Sequence, residues 1–161
     1  MKLRLAALIC VLILPLSLVS CSQKTKEFSL SPFECYISVE SETVTLEGRL
    51  SYSLPSDVRF TVTSPDDING VSVFCEGGII RISSGDVVFN LDEISSEYDL
   101  FTPLFNFLHL LSTAETEVNY EGTDVLTLCD ESGEYNAEIS CDEMRLLSLK
   151  SKGITYKFIY N

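Results

Sequence analysis

The sequence has no tryptophan, one histidine and few basic residues. Its 161 residues include 11 Lys and Arg against 24 Asp and Glu, which gives a formal net charge of −13. Without tryptophan the chain lacks a common platform for sugars, and nothing singles out one pair of carboxylates for glycoside hydrolysis. Nucleic acids and anionic lipid headgroups bind basic patches, so we expect this acidic chain to bind no nucleic acid.

Motifs of catalysis are also missing. No Gly-x-Ser-x-Gly nucleophile motif accompanies the single histidine, His109, and the chain has no phosphate loop or dinucleotide fingerprint. Segment 66–70, Asp-Asp-Ile-Asn-Gly, has the acidic residues of a calcium loop. However, Pro65 and Ile68 interrupt the alternation of oxygen ligands. A calcium loop that starts at Asp66 or Asp67 would also need a glutamate at its twelfth position, and none is there. We interpret this segment as a turn between strands and expect no enzyme, no metal and no cofactor.

The N-terminus carries the most specific motif in the chain. Lys2 and Arg4 precede an apolar run over 5–16, and Leu18-Val19-Ser20-Cys21 follows it. This order indicates a secretory signal, and the run is shorter than the about 20 residues of a membrane-spanning helix. The Leu-x-small-Cys ending resembles the lipobox of bacterial lipoproteins, which implies cleavage before Cys21 and a diacylglycerol attached to it. The alternative is an ordinary signal peptide, or a single-pass anchor, with a chance cysteine.

These features predict a cleaved signal peptide over 1–20, a lipidated tether over 21–31 and a folded domain over 32–161. Because Lys2 and Arg4 leave with the signal, the formal charge of −13 becomes −15. So acidic a domain must be held on the membrane by its lipid, and two acyl chains are enough for stable anchoring. We expect the protein at the extracytoplasmic face of a bacterial membrane.

Cysteines in the mature chain leave two alternatives open. The four are Cys35, Cys75, Cys129 and Cys141. Export permits disulfides, and four cysteines allow three sets of pairs. All four also lie in apolar, strand-like segments, where free cysteines act as small buried hydrophobic residues. A zinc site is not expected, because no two of them are two to four residues apart.

Alternation of apolar and polar residues dominates the rest of the chain. In 44–52, one face carries Val44, Leu46, Leu50 and Tyr52. A period of two predicts half-buried antiparallel strands. Strands are predicted over 35–40, 44–52, 58–63, 70–76, 79–83, 87–91, 115–120, 125–130, 134–141, 144–150 and 154–160. Turn signals separate these short segments, which favours a meander of hairpins in a mainly β fold. A large antiparallel sheet of this kind curls, which predicts a barrel or half-barrel and not a flat sheet.

One segment, 102–112, lacks this alternation and predicts a helix. Thr102 is a good N-cap, and Pro103 suits the first helical position. The few polar residues share one narrow stripe: Asn106, His109 and Thr113. A helix that is apolar over most of its circumference is mostly buried. We therefore expect it to be a lid or plug on the concave face of the sheet, facing Leu50, Phe60 and Phe89.

The order of these segments resembles a known superfamily. Strand segments that include EGRLSYSLPSDVRFTVTSP and GGIIRISSGDVVFNL precede the apolar helix, and a second set of strands follows it. Over about residues 27–161 this order is similar to the lipoprotein carriers LolA, LolB and LppX. The resemblance implies a half-open β-barrel closed by helix, with an apolar cavity that carries or senses lipids or acylated proteins. Lipidated relatives in spore-forming bacteria imply a second role, in envelope assembly.

Apolar side chains of the sheet and the helix would either line such a cavity or fill a core. The candidates are Leu46, Leu50, Phe60, Val62, Phe89, Leu104, Phe105 and Leu108. Filled interiors are the rule, which favours a core. A hollow interior predicts a membrane-anchored protein that binds lipid or acylated protein in the cell envelope. A filled interior predicts a non-catalytic structural or assembly lipoprotein that docks an envelope protein partner.

Overall fold

The computed structural model describes residues 25–53, 57–76, 79–90, 99–114, 116–119 and 121–160. The predicted signal peptide and lipobox, with Cys21, lie outside these residues. The described part contains no helix with the length and hydropathy needed to cross a bilayer.

Strands account for most of the described residues. Before the helix these are Thr25–Phe28 (β1), Phe33–Glu40 (β2), Thr45–Ser53 (β3), Asp57–Ser64 (β4), Ser72–Glu76 (β5), Ile79–Ser84 (β6) and Val87–Asn90 (β7). The helix is Thr102–Thr113 (α1). After it come Thr116–Asn119 (β8), Thr123–Asp130 (β9), Gly133–Ser140 (β10), Arg145–Ser151 (β11) and Ile154–Ile159 (β12).

Ten of these strands form one antiparallel sheet in the order β7-β6-β5-β4-β3-β2-β12-β11-β10-β9. Two meanders, β2–β7 and β9–β12, are joined where β2 pairs with β12, with Val39 opposite Tyr156. The end strands β7 and β9 are not paired with each other, so the sheet is not closed into a barrel. This mainly β architecture, with one large antiparallel sheet and one apolar helix, confirms the predicted fold class and the meander of hairpins.

The alternation in the sequence determines which side of the sheet is buried. Strand β2 buries Cys35, Ile37 and Val39, and β3 buries Leu46, Leu50 and Tyr52. We call this side the inner face. Val44 was expected with them but is exposed, because β3 begins one residue later.

Helix α1 packs on the inner face across both meanders. Phe101, just before the helix, contacts Phe60 of β4 with ring centroids 5.2 Å apart. Phe107 contacts Tyr135 of β10 at 5.9 Å. The Tyr156 hydroxyl of β12 donates a hydrogen bond to the Leu100 carbonyl at 2.8 Å. The helix therefore covers the middle of the ten-stranded sheet.

The predicted cap of this helix was wrong. Thr102 is the first helical residue, and Pro103 is the second. The Asp99 carboxylate instead accepts hydrogen bonds from the backbone N–H groups of Phe101, at 3.2 Å, and Thr102, at 2.9 Å. A carboxylate at this position supplies partners for N–H groups at the start of the helix and is favoured there by the helix dipole.

Part of the predicted tether belongs to the folded domain. Residues Thr25–Phe28 form β1, which pairs with β8 in a separate two-stranded sheet. Phe28 and Leu30 are buried in the core. Burial of these two apolar side chains explains why the fold begins before residue 32, the predicted boundary.

Candidate functional site

Seven of the eight candidate lining residues meet in the core between α1 and the sheet. They are Leu46, Leu50, Phe60, Val62, Leu104, Phe105 and Leu108, each at most 6% exposed and all in one hydrophobic cluster. These side chains fill the centre of the inner face. Their burial in one cluster favours the core alternative for these seven.

Packing at Gly48 shows how closely this centre is filled. The Phe60 ring lies over Gly48, where a Cβ atom would come within 2.6 Å of Cζ of Phe60. The same Cβ would lie 2.3 Å from the Thr61 carbonyl oxygen. Only glycine lets the neighbouring strand and the ring approach this closely.

The eighth candidate, Phe89, is 54% exposed, so its predicted place beneath the helix was wrong. Cross-strand pairing places Val73 opposite Phe60, Ile82 opposite Val73, and Phe89 opposite Ile82. Phe89 thus shares the inner face with Phe60 but lies three strands away, about 14 Å at ~4.8 Å per strand. A helix about 10 Å wide that packs on Phe60 does not extend that far.

The uncovered part of the inner face is an apolar surface that we call the open flank. It consists of Ile80 and Ile82 of β6 and Val87 and Phe89 of β7. Ile80 and Ile82 are partly buried against the core, whereas Val87 is 51% exposed. The apolar face of the core therefore continues without a break to the edge of the sheet. Contiguous exposed apolar surfaces of this kind mark interaction sites.

Strand β7 is also exposed on its outer face and along one backbone edge. Val88, on the outer face, is 54% exposed. Since β7 ends the sheet, one edge of its backbone has no strand partner among the described residues. The opposite end strand, β9, exposes Val125 but carries Asp124 and Asp130, whereas Val87–Asn90 has no charged residue. Charged residues on an edge strand discourage pairing with other chains, and β7 lacks that protection.

Residues considered for chemistry are dispersed over the molecule. His109 is exposed on α1, on the same stripe as Asn106, whose amide donates to the Ser132 hydroxyl at 3.3 Å. Segment 66–68 forms a 3₁₀ turn between β4 and β5, as the interpretation of 66–70 as a turn predicted. No group of three or more metal-binding side chains occurs within the described ranges.

The four cysteines among the described residues, Cys35, Cys75, Cys129 and Cys141, are free thiols in the structure. Cys35 and Cys141 are buried, and Cys129 is exposed. Burial raises the pKa of the Cys35 thiol to about 12 and also raises the pKa of Cys141. Cys35 and Cys141 therefore act as small buried hydrophobic residues, which is one of the two alternatives that the sequence left open.

Comparison with known proteins finds similarity to solved structures at low sequence identity. No protein-family model and no curated protein matches the chain. Its fold is similar to that of a LolA superfamily protein, NE2245 from Nitrosomonas europaea, with a TM-score of 0.41 and 10% identity over 83% of this chain and 86% of that one. An uncharacterized conserved protein from Thermus thermophilus gives a TM-score of 0.40 and 11% identity over 80% of this chain and 76% of that one. At these values the similarity is one of fold and assigns no ligand or activity to this chain.

Proposed function

We propose that this protein is a lipid-anchored protein of the bacterial cell envelope that binds an acyl chain, of a lipid or of an acylated protein, along the open flank. The observation that carries the proposal is the continuous apolar inner face. Helix α1 ceases to cover this face between Val73 and Phe89, and from there to the edge of the sheet the face is exposed. The filled centre argues against a ligand beneath the helix, so the binding surface lies beside it.

The chemistry of the open flank suits an acyl chain. Its four side chains are hydrocarbon, and each methylene of a ligand buried against such a surface contributes about 0.8 kcal/mol. Anchoring through Cys21 would keep this surface close to membrane lipids. The anchor is tested by the variant Cys21→Ser, which should no longer incorporate radiolabelled lipid. The role is binding without catalysis, as the open flank offers no nucleophile, acid or base.

Phe89 and Val88 provide a matched pair for testing the site. They are adjacent on β7, equally exposed at 54%, and lie on opposite faces of the sheet. In the mature domain carrying Cys21→Ser, Phe89→Gln should weaken binding of a fluorescent C16 fatty acid by about tenfold, since an apolar ring of this size contributes roughly 1.5–3 kcal/mol when buried. Val88→Gln should leave the affinity within twofold. Equal losses in both variants, or no binding by the unmodified domain, would contradict the proposal.

A second candidate function is docking of a protein strand on the edge of β7. The observation that favours it is the exposure of both faces of this uncharged edge strand. An added strand would hydrogen-bond to the β7 backbone and contact side chains on both faces. In that case Phe89→Gln and Val88→Gln would both reduce cross-linking to an envelope protein, and neither would change fatty-acid binding.

A further inference from the structure

A half-open cavity of about 360 Å³ lies far from the open flank, where β2 and β11 begin and β12 ends. Neighbouring strands bring these ends together, because β2 pairs with β12 and β12 pairs with β11. Its walls include Phe33, Glu34, Glu143, Arg145 and Tyr160. A volume of this order is within the range of sites for small molecules.

The aromatic rings of Phe33 and Tyr160 form part of the apolar wall of the cavity, beside Leu30, Pro32 and Met144. The Phe33 ring lies 6.0 Å from that of Tyr160 and stacks on Tyr52, with ring centroids 5.5 Å apart. The Arg145 guanidinium already lies over the Tyr160 ring, 5.0 Å from its centroid. Arg145 therefore already makes the cation–π contact with this face of Tyr160, which leaves the Phe33 ring and the rest of Tyr160 to contact an apolar group.

The charged groups of the cavity have a negative sum. Glu34 and Glu143 are exposed at its rim, and Arg145 Nη1 lies 3.3 Å from Glu143 Oε2. Among the lining residues, one guanidinium against two carboxylates leaves a formal charge of −1, and Arg49 acts on Glu34 from outside the cavity. A cationic ligand is therefore favoured over an anionic one.

The turn between the two rim residues has an unusual backbone. Met144 has a φ of +52°, in the left-handed region that side chains other than Gly, Asn and Asp rarely adopt. The turn between β11 and β12 has the same conformation at Lys152, with a φ of +51°, so this backbone is a feature of the hairpin turns. This conformation sets the positions of Glu143 and Arg145 on the two sides of Met144.

We propose that this cavity binds a small organic ammonium ion that carries an apolar group. The apolar group would lie against Phe33 and Tyr160, and the ammonium would lie between the carboxylates of Glu34 and Glu143. This site is separate from the open flank and does not depend on acyl-chain binding.

Three probes of similar size and different charge test this proposal by NMR titration of the ¹⁵N-labelled mature domain carrying Cys21→Ser. They are 2-phenylethylammonium, neutral 2-phenylethanol and anionic 3-phenylpropionate. The variant Glu34→Gln removes one charge at the rim, and Glu131→Gln removes one charge at an exposed turn outside the cavity. Both positions are exposed, and the spectrum itself shows whether each variant is folded.

The ammonium should shift amide signals around Phe33 and Tyr160 saturably at millimolar concentration and bind more tightly than the alcohol. Glu34→Gln should weaken the ammonium about two- to fivefold, the usual range for an exposed ion pair, and Glu131→Gln should not. Tighter binding of 3-phenylpropionate would make this an anion site of Arg145 and overturn the proposal. Equal binding of all three probes, or no saturable shift, would also overturn it.

Discussion

At the scale of residues, alternation predicted the inward positions of the central strands. Leu46, Leu50, Phe60 and Val62 are all buried where a period of two places them. Phe89 follows the same alternation yet is exposed, because alternation shows which face a residue shares and not how far its strand lies from the helix. Seven of the eight candidates are buried in the core, and Phe89, expected to face the helix, is exposed near the edge of the sheet.

Gly48 gives the sharpest test of packing at this scale. Gly48→Ala should destabilise the domain by about 1–3 kcal/mol, because the new methyl group would overlap the Thr61 carbonyl oxygen and the Phe60 ring. Chemical denaturation of the domain measures this change. An unchanged midpoint would show that Phe60 does not lie against Gly48, and the description of a filled centre would then be wrong.

At the scale of elements, the existence and limits of α1 followed from a simple break in alternation. The prediction of 102–112 differs from Thr102–Thr113 by one residue. Its cap was missed because Asp99 acts from outside the helix, through a turn that composition does not reveal. Strand β1 was missed because Thr-Lys-Glu-Phe is short and mostly polar, and its partner β8 is about 90 residues later in the chain.

Substitutions in helix α1 test whether the helix packs on a filled core or covers an empty cavity. Leu108 is fully buried, and His109 beside it is exposed. Leu108→Trp should destabilise the domain by about 1–3 kcal/mol through overpacking, while His109→Trp should stay within about 0.5 kcal/mol of the parent. Thermal unfolding of both variants measures the difference. Equal stability of the two would reveal unfilled space beneath the helix.

At the scale of the whole molecule, strand order decides where a ligand can bind. The sequence predicts hairpins between neighbouring strands, but the pairing of β2 with β12 joins segments more than 100 residues apart. This long-range pairing puts β2 and β12 in the middle of the sheet, beneath the helix, and leaves β7 at one end. The position of the open flank is thus a property of the topology, which local patterns do not contain.

The same topology separates the two proposed sites. The open flank is at one end of the strand order, and the ammonium cavity lies beside the central strands β2 and β12. Because no residue is shared between them, substitutions in one should leave binding at the other unchanged. A protein with both sites would bind an acyl chain and a small cation independently.

The central claim is that an acyl chain binds beside the filled core, on β6 and β7. Photo-cross-linking with a diazirine-bearing C16 fatty acid tests it most directly, using the mature domain with Cys21→Ser and tandem mass spectrometry to locate the adducts. We predict adducts on residues 79–90, reduced by Phe89→Gln and unaffected by Val88→Gln. Adducts concentrated on α1 and the strand residues beneath it, or none that an unlabelled fatty acid displaces, would contradict the account.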